Sequence, residues 1–175
     1  MFLNLARKRL SCRSYLEQPV PRELLDYCLE AARLAPSACN QQPWRFIVVS
    51  DPELRKQIAD RALLPGLPMP WLQVAPVIVV LCAKKSPVTH IAAPLFSGIH
   101  YHLLDIGIAG EHFVLAAAEK GLGTCWIGWV KTKTTAKILG LSGSLKPIAL
   151  IPVGYPAVSA EPRERLPLSD IADFR

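Results

Sequence analysis

The stretch His100-Tyr101-His102-Leu103-Leu104-Asp105-Ile106-Gly107-Ile108-Ala109-Gly110-Glu111-His112-Phe113-Val114-Leu115-Ala116-Ala117-Ala118-Glu119-Lys120 is the longest helical pattern in this chain. Leu103, Leu104, Ile106, Ile108, Phe113, Val114, Leu115 and Ala116 to Ala118 spread over most of its circumference. A helix that is apolar nearly all round is buried, either centrally or against a second subunit. Gly107 and Gly110 leave room for close approach by another element, and Gly121 and Gly123 stop the helix. Apolar runs flank it on both sides in the sequence: Val77 to Cys82 before it and Ile148 to Val153 after it. Such runs read as strands covered on both faces. A buried helix between buried strands predicts a single-layer mixed sheet with helices on its faces.

Further out, Phe2 to Arg9 predicts a short helix and Pro21 to Arg33 a strong one. Leu25, Cys28, Ala32 and Ala35 recur at three- and four-residue steps, opposite Arg22, Asp26, Glu30 and Arg33. Pro36 ends that helix. Arg45 to Ser50 is strand-like. Asp51-Pro52-Glu53 is a helix start, with a cap, a proline in the first turn and an early acid. Leu64 to Pro70 reads as a loop, and so does Ser86 to Ser97. Cys125 to Val130 reads as a short strand or turn and Thr134 to Leu139 as a short helix. Residues 157–175 form a polar tail on what reads as one domain spanning 1–175.

Composition narrows the class. Apolar residues make up 51% and charged residues 19% of 175 residues, a surplus that a large subunit interface would cover. No window reaches the length of a membrane-spanning helix, and no secretory leader pattern is present, which together predict a cytoplasmic protein. The five cysteines form no CxxC pair and are odd in number, so they read as reduced thiols. The net charge of +6 is not gathered with aromatics into a stripe, which argues against a nucleic-acid binder. His100 and His102, two apart, do not share a helix face, and His90 and His112 have no partners at metal-ligand spacing.

Four segments carry chemistry. Arg9-Leu10-Ser11-Cys12-Arg13 can grip a phosphate through bidentate guanidiniums and a hydroxyl, although alone it reads more readily as a solvated basic surface. Arg163-Glu164-Arg165 has alternate arginines pointing the same way if extended, or is an exposed charged tail. In Pro36-Ser37-Ala38-Cys39-Asn40-Gln41-Gln42-Pro43-Trp44, the amides of Asn40 and Gln42 both donate and accept. That suits a ring edge with alternating donors and acceptors, and it equally suits local turn capping; Trp44 reads as core. Gly121-Leu122-Gly123-Thr124-Cys125-Trp126-Ile127-Gly128 is a glycine-rich turn that lacks the third glycine of a dinucleotide fingerprint.

Taken together, these segments resemble the nitroreductase family of FMN-dependent oxidoreductases, in register over nearly the whole chain. The resemblance rests on Arg9-x-Ser11-x-Arg13 and on Pro36-Ser37-x-x-Asn40-x-Gln42-Pro43-Trp44. It continues through Asp105-x-Gly107-x-Ala109, Gly121-Leu122-Gly123-x-x-Trp126-Ile127-Gly128 and Gly154-Tyr155-Pro156 with the closing arginines. It implies an α+β fold with a central, mostly antiparallel sheet flanked by helices. It also implies a homodimer that builds FMN sites at its interface, with the tail packed on the partner. By position, Arg9, Ser11, Arg163 and Arg165 would hold the phosphate, and Arg13 would lie near the ring and ribityl chain. Pro36, Ser37, Ala38, Asn40 and Gln42 would line the ring edge or ribityl, and the backbone at Ile127 and Gly128 would face the flavin nitrogen that receives hydride. Leu10 stands in the phosphate segment where the family often has a basic residue or histidine. Pro68-Met69-Pro70-Trp71 lacks a polar group that some members place by the ring, which leaves Arg13 to stabilise anionic flavin. The implied activity is electron transfer from NAD(P)H through flavin to a nitroaromatic, quinone or similar acceptor by a ping-pong hydride mechanism. Flavin binding without turnover, and flavin-dependent dehalogenation or dehydrogenation, are the alternatives. No side chain is assigned as nucleophile or acid, since the cofactor carries the chemistry.

Overall fold

A computed structural model describes residues 2–84, 93–158 and 162–175. Strand β1 (Trp44–Val49) pairs with β2 (Val77–Lys84), β2 with β4 (Leu145–Gly154), and β4 with the two-residue β3 (Gly123–Thr124). The order is β1-β2-β4-β3, and each ladder is antiparallel. Successive side chains alternate across a strand, and β2 buries both sets. Val77, Val79, Leu81 and Ala83 pack with Leu25, Cys28 and Phe113 on one side of the sheet. Ile78, Val80 and Cys82 pack with Ile58, Leu72 and Leu150 on the other. From Val77 to Ala83 no residue is more than 2% exposed, the physical counterpart of the unbroken apolar run.

Helix α1 (Phe2–Lys8) buries no residue. Helix α2 (Arg22–Arg33) buries Leu25, Cys28 and Ala32, the predicted stripe. Helix α3 (Pro52–Arg61) begins where the Asp51 carboxylate accepts the Leu54 N–H at 2.8 Å, with Pro52 in the first turn. Asp51→Ala should lower stability by about 1 kcal/mol, measured as a shift in the urea midpoint with an unchanged slope. A slope change would place the effect elsewhere.

Helix α6 (Tyr101–Glu119) lies along α2 and the sheet. Phe113 is fully buried and stacks on Phe46 with ring centroids 5.7 Å apart. A Cβ on Gly110 would sit 2.1 Å from the Trp126 ring, so this glycine allows the indole to press against the helix backbone. Gly107 has open space instead. The all-round apolar pattern divides in the folded chain: Ile106, Ala109, Phe113 and Ala117 face the core, while Leu103, Leu104 and Ile108 are 46%, 55% and 38% exposed.

Several expectations shift. Of the expected loop Ser86 to Ser97, residues 86–92 lie outside the described residues, and Ala93–Ser97 is helical as α5. Trp71–Val74 forms another short helix, α4. Neither helix completes enough turns to leave a period in the sequence. Cys125 to Val130, expected as a short strand or turn, makes isolated bridges from Ile127 to Leu150 and from Val130 to Leu63, and the strand β3 lies just before it at Gly123–Thr124. Helix α7 is Thr132–Ile138, starting two residues earlier than expected. The tail carries exposed apolar residues, Leu166, Leu168, Ile171 and Phe174, among its polar ones. Among the described residues no helix is long and apolar enough to cross a membrane.

Candidate functional site

The N-terminal arginine segment is pinned to the glycine-rich turn. Ser11 bridges Thr124 in parallel, and the Cys12 N–H donates to the Thr124 carbonyl at 2.8 Å. The approach requires glycine at position 123, where a Cβ would lie 2.7 Å from both Cβ and Sγ of Cys12. Downstream, Leu16 N–H donates to Tyr155 O and Ala157 N–H to Ser14 O, and the buried Tyr15 hydroxyl donates to the Cys12 carbonyl at 2.9 Å. Burial drives the Tyr15 hydroxyl pKa far up, so it stays a neutral donor. Arg13 is thus held between two fixed stretches of chain. The Arg9 side chain is 20% exposed and faces Glu111 of α6 at 3.6 Å, a pair that orients the guanidinium while leaving it reachable.

Two cavities open here. One, of about 200 Å³, is lined by Lys8, Arg9, Leu10, Cys12, Gly123 and Thr124 together with neighbouring residues. The other, of about 400 Å³, brings Arg163 and Arg165 of the tail against Leu3, Ala6, Arg7 and Leu10. Leu10 lines both. The two ends of the chain therefore meet around Leu10, which spacing in the sequence could not establish. Arg7 joins the tail arginines and was not singled out from the sequence. Its signal was its place in the basic group Arg7, Lys8, Arg9 and Arg13.

The loop before β1 is a separate unit. Ala38–Asn40 forms a single 3-10 turn, and Cys39, Asn40 and Gln42 hold left-handed backbone with φ of 50°, 51° and 46°. Such conformations in non-glycine residues cost on the order of 1 kcal/mol each and persist only where surroundings impose them. Here the Ser37 hydroxyl oxygen accepts the Gln42 N–H at 2.9 Å. Gln42 Nε2 donates to the Asn40 carbonyl at 3.1 Å and to its Oδ1 at 3.0 Å. Ala38 N–H donates to the Asp105 carboxylate at 3.0 Å, which ties the loop to the start of α6. Residues 36–42 line neither of the two cavities. The loop meets α6 at Asp105, whereas Arg9 meets it at Glu111.

Ile127 is 2% exposed, and its N–H and C=O both bond Leu150 at 2.9 Å. Its main chain is bonded into the sheet, whereas the neighbouring Gly128 is exposed, and a Cβ there would meet nothing. Among the cysteines only Cys39 is exposed. Burial pushes Cys28 and Cys82 up to about 11 and also raises Cys12 and Cys125, so these four stay protonated and poorly nucleophilic at neutral pH.

The sequence and the fold are matched by known proteins. The sequence model of the nitroreductase family matches residues 6–68 and 64–155. The chain is 32% identical over 173 residues to the FMN reductase (NAD(P)H) of Bacillus subtilis, across 90% of this chain and 66% of that protein. A nitroreductase family protein from Streptococcus pneumoniae superposes with a TM-score of 0.85 at 26% identity over the full length of both chains. An iodotyrosine deiodinase bound to FMN and 3-iodo-L-tyrosine superposes at 0.81 and 27% identity, over 95% and 96% of the two chains. Matched by the family's sequence model over most of its length and by these relatives in sequence and fold, this chain belongs to the nitroreductase family.

Proposed function

We propose that this chain is an NAD(P)H-dependent FMN oxidoreductase that works as a homodimer. The observation carrying the proposal is the meeting of Arg163 and Arg165 with the N-terminal motif around Leu10. The residues present fit FMN. Guanidiniums suit a dianionic phosphate, and amides beside exposed backbone suit a pyrimidine edge. When bound, FMN supplies hydride acceptance and donation.

The chain's own residues bind and orient. Arg9, Ser11, Arg163 and Arg165 hold the phosphate, with Leu10 as an apolar wall. Arg13 places positive charge toward the ring, where reduction builds negative charge. Ser37, Asn40 and Gln42 offer hydrogen bonds, Pro36 and Ala38 shape the loop, and Gly128 allows close approach to the main chain. Within one chain the loop and the arginine segment meet α6 at different residues. The exposed Leu103, Leu104 and Ile108 offer an apolar face for a second copy, whose loop would complete the site. One pocket then serves donor and acceptor in turn, which is the ping-pong reading. Nitroaromatics and quinones are the acceptors proposed, and likeness to the deiodinase adds halogenated aromatics to those worth testing.

The purified protein should be yellow, sediment as a dimer, bleach anaerobically with NADH or NADPH and regain colour with a quinone or nitroarene. Colourless protein that does not take up added FMN would overturn the proposal. Bound flavin that stays oxidised would leave a flavin carrier in its place.

A further inference from the structure

Asp105 is 3% exposed on the first turns of α6, and its Oδ1 accepts the N–H of Ala38, 67 residues earlier in the chain. Ala38 opens the turn whose next residues, Cys39 and Asn40, and then Gln42, hold left-handed backbone. The bonds from Gln42 to Ser37 and Asn40 set the shape of this loop from within. They do not set where the loop stands on the helix. The buried Asp105 carboxylate meets this N–H at an ordinary hydrogen-bond length of 3.0 Å, and removing one partner of a buried hydrogen bond leaves the other unsatisfied.

We propose that Asp105 is a positioning residue: its carboxylate fixes the Ala38–Asn40 turn on α6 and so sets where Asn40 and Gln42 meet their ligand. The ligand side of this claim rests on the FMN reading above; the loop side does not. Asp105 touches the loop at Ala38, so it would act through Asn40 and Gln42. His102 lies one turn earlier on the same helix and is also buried, at 4% exposed.

Cys39 reports on the loop directly, because it is the exposed thiol within the turn. The test compares wild type, Asp105→Ala and Asp105→Asn, reading the Cys39 rate with a chromogenic disulfide reagent, FMN affinity by fluorescence quenching, and the bound flavin's visible spectrum. Asp105→Ala should speed Cys39 modification, weaken FMN about 10- to 100-fold and shift the flavin band. Asp105→Asn keeps an oxygen acceptor at the same place and should return all three to within a few fold of wild type. If Asp105→Ala does not fold, Ala38→Pro removes the donor instead. Ser37 is already extended at φ −150° and ψ 158°, the backbone favoured before proline, and the same changes are expected. Wild-type Cys39 rates in the folded variants would overturn the proposal, and so would an asparagine variant as impaired as the alanine one. A wild-type protein that binds no FMN would sink the functional reading alone, since the Cys39 rates would still judge the positioning claim.

Discussion

Phe113→Ala is expected to lower the free energy of unfolding by about 3–5 kcal/mol, the range for deleting a buried phenyl ring and leaving a cavity. Phe113 is fully buried where α6 crosses the sheet. It stacks on Phe46 of β1, centroids 5.7 Å apart and planes 23° apart, so the loss includes an aromatic pair as well as transfer. Its neighbours belong to β2, β4, α2 and α6 itself, elements that cannot all move inward to fill the gap. Domains of this size are stable by only about 5–15 kcal/mol, so the variant should melt well below wild type and give little soluble protein at 37 °C. A loss below about 1 kcal/mol, read from urea unfolding, would show that the helix–sheet contact is misassigned.

Arg9→Ala and Arg165→Ala should each weaken FMN binding about 10- to 150-fold, the equivalent of about 1.5–3 kcal/mol for a hydrogen bond to a charged group. The two start from different situations. Arg9 is mostly covered and oriented by Glu111, so its loss also leaves that carboxylate without its cation. Arg165 is exposed and donates to the carbonyls of Arg163 and Glu164 at 3.2 and 3.3 Å, so its loss removes charge with little structural cost. Equilibrium titration reads both, and affinity should fall with added salt less steeply in the variants than in wild type. Arg22→Ala, on the outer face of α2 beside Asp26, is the control and should leave FMN affinity unchanged. Unchanged affinity in Arg9→Ala and Arg165→Ala together would move the phosphate elsewhere.

Some elements were legible from residues alone because their cause is local or periodic. The stripe Leu25, Cys28, Ala32 is buried as its spacing required, and Asp51 caps α3 through the bond its residue type favours. The β2 run is buried on both faces because every residue in it is apolar. Helices α4 and α5 were not legible, since a single turn has no period. Strand β3 at Gly123–Thr124 was not legible, because two residues of ladder leave no alternation to read. At the site, the amide loop and the arginine motif could be picked out by residue type and order. The commitment of the Ile127 main chain to Leu150 could not, since any residue can make that bond.

The amino-acid sequence alone determined the helix faces, the buried strands, the capped helix start and the family resemblance, because these follow from side-chain type and short-range order. Only the tertiary structure decided the rest. It set the tail arginines beside Arg7 and Leu10, tied the left-handed loop to Asp105, and divided α6 into a core face and an exposed apolar one. Each depends on which distant segments come into contact. That is settled by the joint burial of many residues across the sheet, and no short window of the chain contains it.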